Sequence, residues 1–89
     1  MRAIESSRKF QKDLKRMQKR GANLKELYTI LEMLCYNVKI PLQYKEHALT
    51  GNWAGCRDLH IDNDWLLIYE ENEDTIFLYR TGTHSDLFK

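Results

Sequence analysis

The sequence predicts an α+β domain, in which two N-terminal helices pack on one face of a small antiparallel β-sheet and leave the other face free for chemistry. Two observations predict it. Apolar residues recur at helical spacing as far as Val38, and after His47 the texture changes to short alternating runs separated by turn residues. Helices followed by a run of strands is the pattern of segregated α+β folds. The 89 residues can bury one core but not two, so residues 1–89 are read as a single domain.

From Ser7 to Arg20, Phe10, Leu14 and Met17 stand at i, i+4 and i+7 among Arg8, Lys9, Lys12, Lys15, Arg16 and Lys19, the pattern of a basic amphipathic helix. Ser6 or Ser7 can cap its start, and Gly21 suits the left-handed backbone that commonly ends a helix. Asn23 followed by Glu26 resembles a capping box, and Leu24, Leu27, Leu31, Leu34 and Val38 then carry a second helix to about Val38. Tyr28, Ile30, Met33 and Cys35 widen its apolar surface, as expected of a helix that meets both a sheet and a further neighbour. Pro41 disfavours helix at Ile40 and opens a polar connection.

Period-two alternation in Arg57–Asp62 puts Leu59 and Ile61 on one face and Asp58, His60 and Asp62 on the other. Asn63-Asp64 turns into Trp65–Tyr69, apolar on both sides and so a central strand, and an acidic connection leads to a third strand at Thr75–Arg80. These three form an antiparallel meander. Met1–Glu5 is a possible edge strand ahead of the helices.

Charge is divided unevenly along the chain. Residues 1–45 carry eleven Lys or Arg against four acids, and residues 46–89 carry three against nine. A basic first half is the electrostatic footprint of a polyanion partner, although a solvated helix surface has the same composition. The two cysteines, Cys35 and Cys56, lack the spacing of a disulfide framework or a thiolate zinc site. No apolar stretch approaches the roughly 18 residues of a membrane span, and Met1–Glu5 has no apolar core of a signal peptide, so a cytoplasmic protein is expected.

All three histidines, His47, His60 and His84, fall in the strand-rich half. Histidine can give and take protons near neutral pH. RNA brings its own nucleophile, the 2′-hydroxyl, so cleavage needs a base for that hydroxyl, an acid for the departing 5′-oxygen and a cation for the phosphate. Two histidines with Arg80 or Arg57 meet these needs. Each histidine also fits a purely structural place: His47 in a loop, His60 on a wet strand face, His84 in a turn beside Gly82. A metal site built with Asp58, Asp62 or Asp64 is a rival, but the spacings match no compact ligand signature. Of the aromatic residues, Trp65 and Phe88 are the ones expected to stay outside the core and offer a face to an unstacked base.

Three segments read together, Tyr44-Lys45-Glu46-His47-Ala48-Leu49-Thr50-Gly51-Asn52-Trp53, Arg57-Asp58-Leu59-His60-Ile61-Asp62-Asn63-Asp64-Trp65 and Arg80-Thr81-Gly82-Thr83-His84-Ser85-Asp86-Leu87-Phe88, resemble the YafQ family of RelE-type toxins. The resemblance implies a RelE-like fold and an mRNA interferase that enters the ribosomal A site and cleaves mRNA there without a metal or other cofactor. It places the active-site residues at His47, Asp58, His60, Asp64, His84 and Phe88, with Trp65 and Arg80 adjoining. Among these positions we assign His84 as the leading acid or base, His47 and His60 as its proton-transfer partners, Asp64 to orient a histidine and Arg80 to neutralise the phosphate. A DinJ-like antitoxin with a ribbon-helix-helix dimer is the implied partner, in a heterotetramer that reaches operator DNA through the antitoxin. On this view Lys12, Lys15, Arg16 and Lys19 form a cationic surface for which ribosomal RNA and an acidic antitoxin segment compete. At Asn63, where proline is common in this family, the sequence departs from the pattern. The competing expectation is an RNA-binding or protein-interaction module without catalysis.

Overall fold

The computed structural model describes residues 1–88. Strand β1 (Ala3–Ser6) leads into helices α1 (Arg8–Lys19) and α2 (Leu24–Cys35), and strands β2 (His47–Ala48), β3 (Arg57–Asp62), β4 (Trp65–Glu71) and β5 (Thr75–Gly82) follow, closed by a single turn of helix, α3 (His84–Leu87). The sheet order is β1-β5-β4-β3-β2. The meander β3-β4-β5 is antiparallel as expected, and the N-terminal edge strand exists, but it runs parallel to β5. The two helices between β1 and the meander return the chain to the same end of the sheet, which makes the parallel pairing possible.

Helix α1 starts where its capping residue predicts. Ser7 Oγ accepts from the Phe10 N–H at 2.9 Å and donates to the Tyr79 carbonyl at 2.7 Å, so one hydroxyl caps the helix and pins it to β5. Helix α2 stops three residues short of Val38. Asn37 adopts a left-handed φ of 55°, and the Val38 N–H bonds back to the Met33 carbonyl at 2.9 Å, a Schellman-type ending supplied by asparagine instead of glycine. Asn23 caps α2 by accepting from the Lys25 N–H; Glu26 does not complete the expected box.

The core lies between the helices and one face of the sheet. Phe10, Met17, Leu27, Ile30 and Leu34 from the helices meet Leu59, Ile61, Trp65, Leu67, Tyr69, Ile76 and Leu78 from the strands. Trp65 is therefore a correction to the sequence reading. It is 4% exposed, and its indole N–H donates to Thr81 Oγ1 at 2.7 Å, so it offers no face to a base. The alternation of β4 explains this, because Trp65 shares its pleat with Leu67 and Tyr69. The other pleat of β4, Leu66 and Ile68, points to the opposite face and is also fully buried, which makes β4 the central strand.

Two register shifts shape that opposite face. Ile68 pairs with Arg80 and Tyr69 with Leu78, leaving Tyr79 as an extra residue in β5; a second shift lies between His60 and Asp62. Past the first bulge Arg80 and Gly82 share a face with Ile68 and Leu66, while Thr81 turns inward. The carboxylate of Asp13, 3% exposed, locks this distortion. It accepts from Arg80 Nε at 2.6 Å, Arg80 Nη2 at 3.1 Å, the Thr81 N–H at 3.2 Å and Arg16 Nη2 at 2.8 Å.

Helix α3 is held by its own first turn and by α1. Thr83 and Asp86 form a capping box, and Asp86 pairs with Arg20 at 2.7 Å. A Cβ on Gly82 would sit 2.9 Å from Asp86 Oδ2, so the approach of α3 to the end of β5 requires glycine there. The Arg20 guanidinium, then the Thr83 N–H, hold the Asp86 carboxyl well below the usual carboxylate range.

Two stability outcomes follow from these contacts. Removing the buried carboxylate in Asp13→Ala strands Arg80 and the Thr81 N–H. Partial solvent access to the two guanidiniums tempers the loss to about 2–3 kcal/mol by urea unfolding at pH 7, against under about 0.5 kcal/mol for Lys15→Ala. Asp86, with a depressed folded pKa, contributes stability that is complete above its unfolded value of about 3.9 and is lost as the pH falls through the folded value. Wild type should therefore lose more stability than Asp86→Asn between about pH 4.5 and pH 2.5, and equal losses would remove Asp86 as the cause.

Candidate active site

The face of the sheet away from the helices carries the three imidazoles. His60 lies on the β3 pleat that also carries Asp58. His47 is paired with Asp58 across the β2–β3 ladder. His84 opens α3, which the end of β5 delivers over the same face. The rings of His60 and His84 meet edge to face with centroids 5.6 Å apart, and the Phe88 ring stands 6.4 Å from His84 on its other side. Residues separated by 13 to 37 positions in sequence thus converge on one surface, and Phe88, 40% exposed, closes one flank of it.

Each outer imidazole has a carboxylate. Asp64 Oδ1, in the β3–β4 turn, lies 2.7 Å from His84 Nδ1 and accepts from the His84 backbone N–H at 3.1 Å, so one oxygen fixes both the ring and the start of α3. These bonds hold the Asp64 carboxyl below its ordinary value. With Nδ1 so engaged, Nε2 is the nitrogen of His84 left to face a substrate. Asp58 differs. It is 4% exposed, and burial pushes its carboxyl up, opposed by attraction to His47, His60 and His84. Its Oδ1 lies 3.1 Å from His47 Nδ1 in ion-pair but not hydrogen-bond geometry, since Nδ1 is also 2.9 Å from the Lys45 carbonyl.

The arginines divide. Arg80 shares the histidine face by its register with Ile68, but Nε and Nη2 are committed to Asp13, which leaves Nη1 to meet an anion. Arg57 corrects the sequence reading. It pairs in register with the core residue Tyr69, on the pleat opposite Asp58 and His60, and its Nε lies 3.5 Å from Glu46, which also takes the Tyr69 hydroxyl. Burial together with the Glu46 hydrogen bond drives the Tyr69 hydroxyl far above its ordinary value.

The basic helix lies on the other side of the sheet and reaches α3 at its C-terminal end. Lys12, Lys15 and Lys19 are exposed, whereas Arg16 is half-buried, 2.8 Å from Asp13 and 3.9 Å from Asp86. Helical spacing puts Lys12, Lys15, Arg16 and Lys19, at i, i+3, i+4 and i+7, on one face of α1. Asp13 is the residue that sequence reasoning missed. Its signal was its position, three residues after Phe10 and four before Met17, within the apolar stripe of an otherwise basic helix. Among the described residues no group of three or more His, Cys, Asp or Glu is arranged to hold a metal ion.

Residues 2–89 match the model of a family described as bacterial toxin of type II toxin-antitoxin system, YafQ. The mRNA interferase toxin YafQ of Escherichia coli K12 is 41% identical over 88 residues, which cover 98% of this chain and 96% of that protein. A chain of the crystal structure of the E. coli DinJ–YafQ complex superposes with a TM-score of 0.91 at 40% identity, both chains being covered completely. A metal-bound toxin from Helicobacter pylori superposes with a TM-score of 0.91 at 42% identity, covering 99% of this chain and all of the other. Matched from end to end in sequence and fold, the chain belongs to the YafQ family of bacterial type II toxin–antitoxin toxins.

Proposed function

We propose that the chain is a ribosome-dependent endoribonuclease, an mRNA interferase that cuts the codon in the A site by proton transfer among histidines. The observation that carries this reading is the convergence of His47, His60 and His84 on one sheet face, with Asp58 beneath them and Asp64 on His84. The similarity to a curated mRNA interferase supports the substrate class.

In this mechanism an imidazole accepts the proton of the 2′-hydroxyl, the 2′-oxygen attacks phosphorus, and the P–O5′ bond breaks as a second imidazole protonates the departing oxygen. The products are a 2′,3′-cyclic phosphate and a 5′-hydroxyl, and the two histidines end with their protons exchanged. His84 acts through Nε2, its Nδ1 being held by Asp64; His60, 5.6 Å away ring to ring, and His47 are the partners. Arg80 meets the phosphate through Nη1, positioned by Asp13, and Phe88 stacks on or steers a base. No step in this scheme uses a metal ion.

The cationic stripe of Lys12, Lys15, Arg16 and Lys19 contacts rRNA phosphate during A-site entry. A DinJ-like ribbon-helix-helix antitoxin neutralises the toxin in a heterotetramer, through which alone operator DNA is bound, and the whole system works in the cytoplasm. The DinJ complex of a relative supports this partner, as do Tyr28, Tyr36 and Val38, apolar groups more than half exposed on and just beyond α2.

Three experiments test the reading. Expressed in bacteria, wild type should produce mRNA ends in frame with codons, and His84→Ala should abolish them, with a fall of about 10²–10⁴ in cleavage rate on purified ribosomes. Full activity in His84→Ala, or cuts without regard to frame, rejects the assignment. Cleavage should survive exchange into EDTA at a magnesium-independent step, such as a single-turnover assay on a pre-assembled complex; its loss, restored by added metal, would favour a metal-dependent reaction. Lys12→Gln with Lys15→Gln and Lys19→Gln should weaken ribosome association and flatten its salt dependence by about one unit of slope per lost phosphate contact, and an unchanged slope dismisses the stripe.

A further inference from the structure

Beside His60, on the flank of the sheet that β2 fails to cover, lies a cavity of about 410 Å³ lined by Gln43, Tyr44, Lys45, His60, Asp62 and Asn63. Its origin is local. Lys45 takes a left-handed φ of 52°, β2 lasts only two residues, and the ladder to β3 stops at Asp58. The edge of β3 beyond Asp58 therefore has no strand neighbour, and the short 3-10 turn at Leu42–Tyr44 packs against β3 instead, leaving a recess between them. His60 and Ile61 form its β3 wall and Glu26 of α2 closes the helix side, so the cavity borders the cluster of imidazoles at His60.

The lining selects a class of ligand. Its volume lies within the roughly 300–1,000 Å³ that receives small organic groups. Lys45 is its one ammonium, set against the carboxylates of Asp62 and Glu26, so a phosphate gains little there. Gln43 and Asn63 each offer a carboxamide with a donor and an acceptor side by side, both exposed and free of the core. Such pairs match the edge of a nucleobase, and the half-buried ring of Tyr44 supplies an aromatic wall. Asp62 acts on the shape of the recess, since its Oδ1 accepts from the Asn63 N–H at 2.8 Å and forms the turn that presents the Asn63 side chain.

We propose that this cavity is a nucleobase subsite, in which Gln43 and Asn63 hydrogen-bond the edge of the RNA base flanking the scissile phosphate while Tyr44 packs against it. The inference rests on the endoribonuclease reading above and adds to it the residues that select the sequence cut. A base seated here places its own ribose and phosphate next to His60, so occupancy of the recess and alignment of the phosphodiester with the imidazoles are coupled.

The test compares wild type with the double variant Gln43→Leu, Asn63→Ala, and with each single variant, all expressed in bacteria with mRNA ends mapped and with cleavage timed on purified ribosomes. Both side chains are exposed, so the melting temperature should stay within a few degrees of wild type. The double variant should still cut, but roughly tenfold to a hundredfold more slowly at the sites wild type prefers, and the base bias at one nucleotide beside the cut should flatten. The single variants should each flatten it in part. An unchanged base profile in a folded double variant overturns the subsite and leaves the endoribonuclease reading standing. A slower rate with the profile intact also overturns it, because the residues then support the structure without reading the base. Wild type that makes no cuts overturns the parent reading and this inference with it.

Discussion

One buried carboxylate joins the halves of this domain. Asp13 reaches out of α1 to take two bonds from Arg80 and one from the backbone of Thr81, at the point where β5 has just gained an extra residue. A strand distorted by a bulge loses ladder bonds, and its backbone groups need other partners. Asp13 supplies one, and by gripping Arg80 it also fixes the side chain that the bulge has turned to the histidine face. The same stretch of β5 ends at Gly82, where the absent side chain lets Asp86 close against the strand and set α3 in place. His84 is the first residue of that turn. The position of the His84 imidazole is thus governed by contacts on the far side of the sheet, through α1 and its ion pairs.

The open face is built on an unusually dry foundation. Leu66 and Ile68 lie between His60, Asp58, Arg80 and Gly82 in the ladder and are fully buried, so the polar groups above them stand on hydrocarbon. A low-dielectric floor strengthens every interaction among the charges it carries. It also explains the contrast between the two site carboxylates. Asp58 sits at that floor and is pushed up by burial, whereas Asp64 sits in an exposed turn and is held down by its bonds to His84. Identical side chains thereby occupy different electrostatic situations a few residues apart.

Most of this architecture could be read from the sequence, for identifiable reasons. The start of α1 was legible because serine capping is a local signal, and the meander because Leu59 and Ile61 alternate with polar residues in β3 and turn residues separate its three runs. The end of α2 was not, since Asn37 took the left-handed position usually announced by glycine. Trp65 was misplaced because its adjacency to a turn outweighed its pleat, and Arg57 because its chemistry suited a phosphate although its pleat put it with Tyr69. Asp13 escaped because a single acid in a basic helix looks like a surface charge until its place in the apolar stripe is counted. The histidines were legible as a set by motif, but their convergence depends on the sheet order and on α3, neither of which has a local signature. The same holds for the recess beside His60, which exists because a ladder ends early.

The distribution of charge suits the proposed chemistry in a further way. The permanent cations are gathered mainly on α1 and around its junction with α3, while the open face carries imidazoles, whose charge is conditional. A face of fixed cations would bind a phosphodiester tightly but would have no proton to move. Imidazole, by contrast, is a group that can give and take protons near neutral pH, as the proposed cleavage requires. Asp58, drawn up by burial and down by the three rings, stands among them. In the proposed scheme the lysines supply affinity for the polyanion and take no part in the proton transfer. Most permanent charge thus lies on a helix and exchangeable charge on the sheet, with Arg80, gripped by Asp13, as the permanent cation on the histidine face, a division that suits a single-core domain to the proposed association and proton transfer.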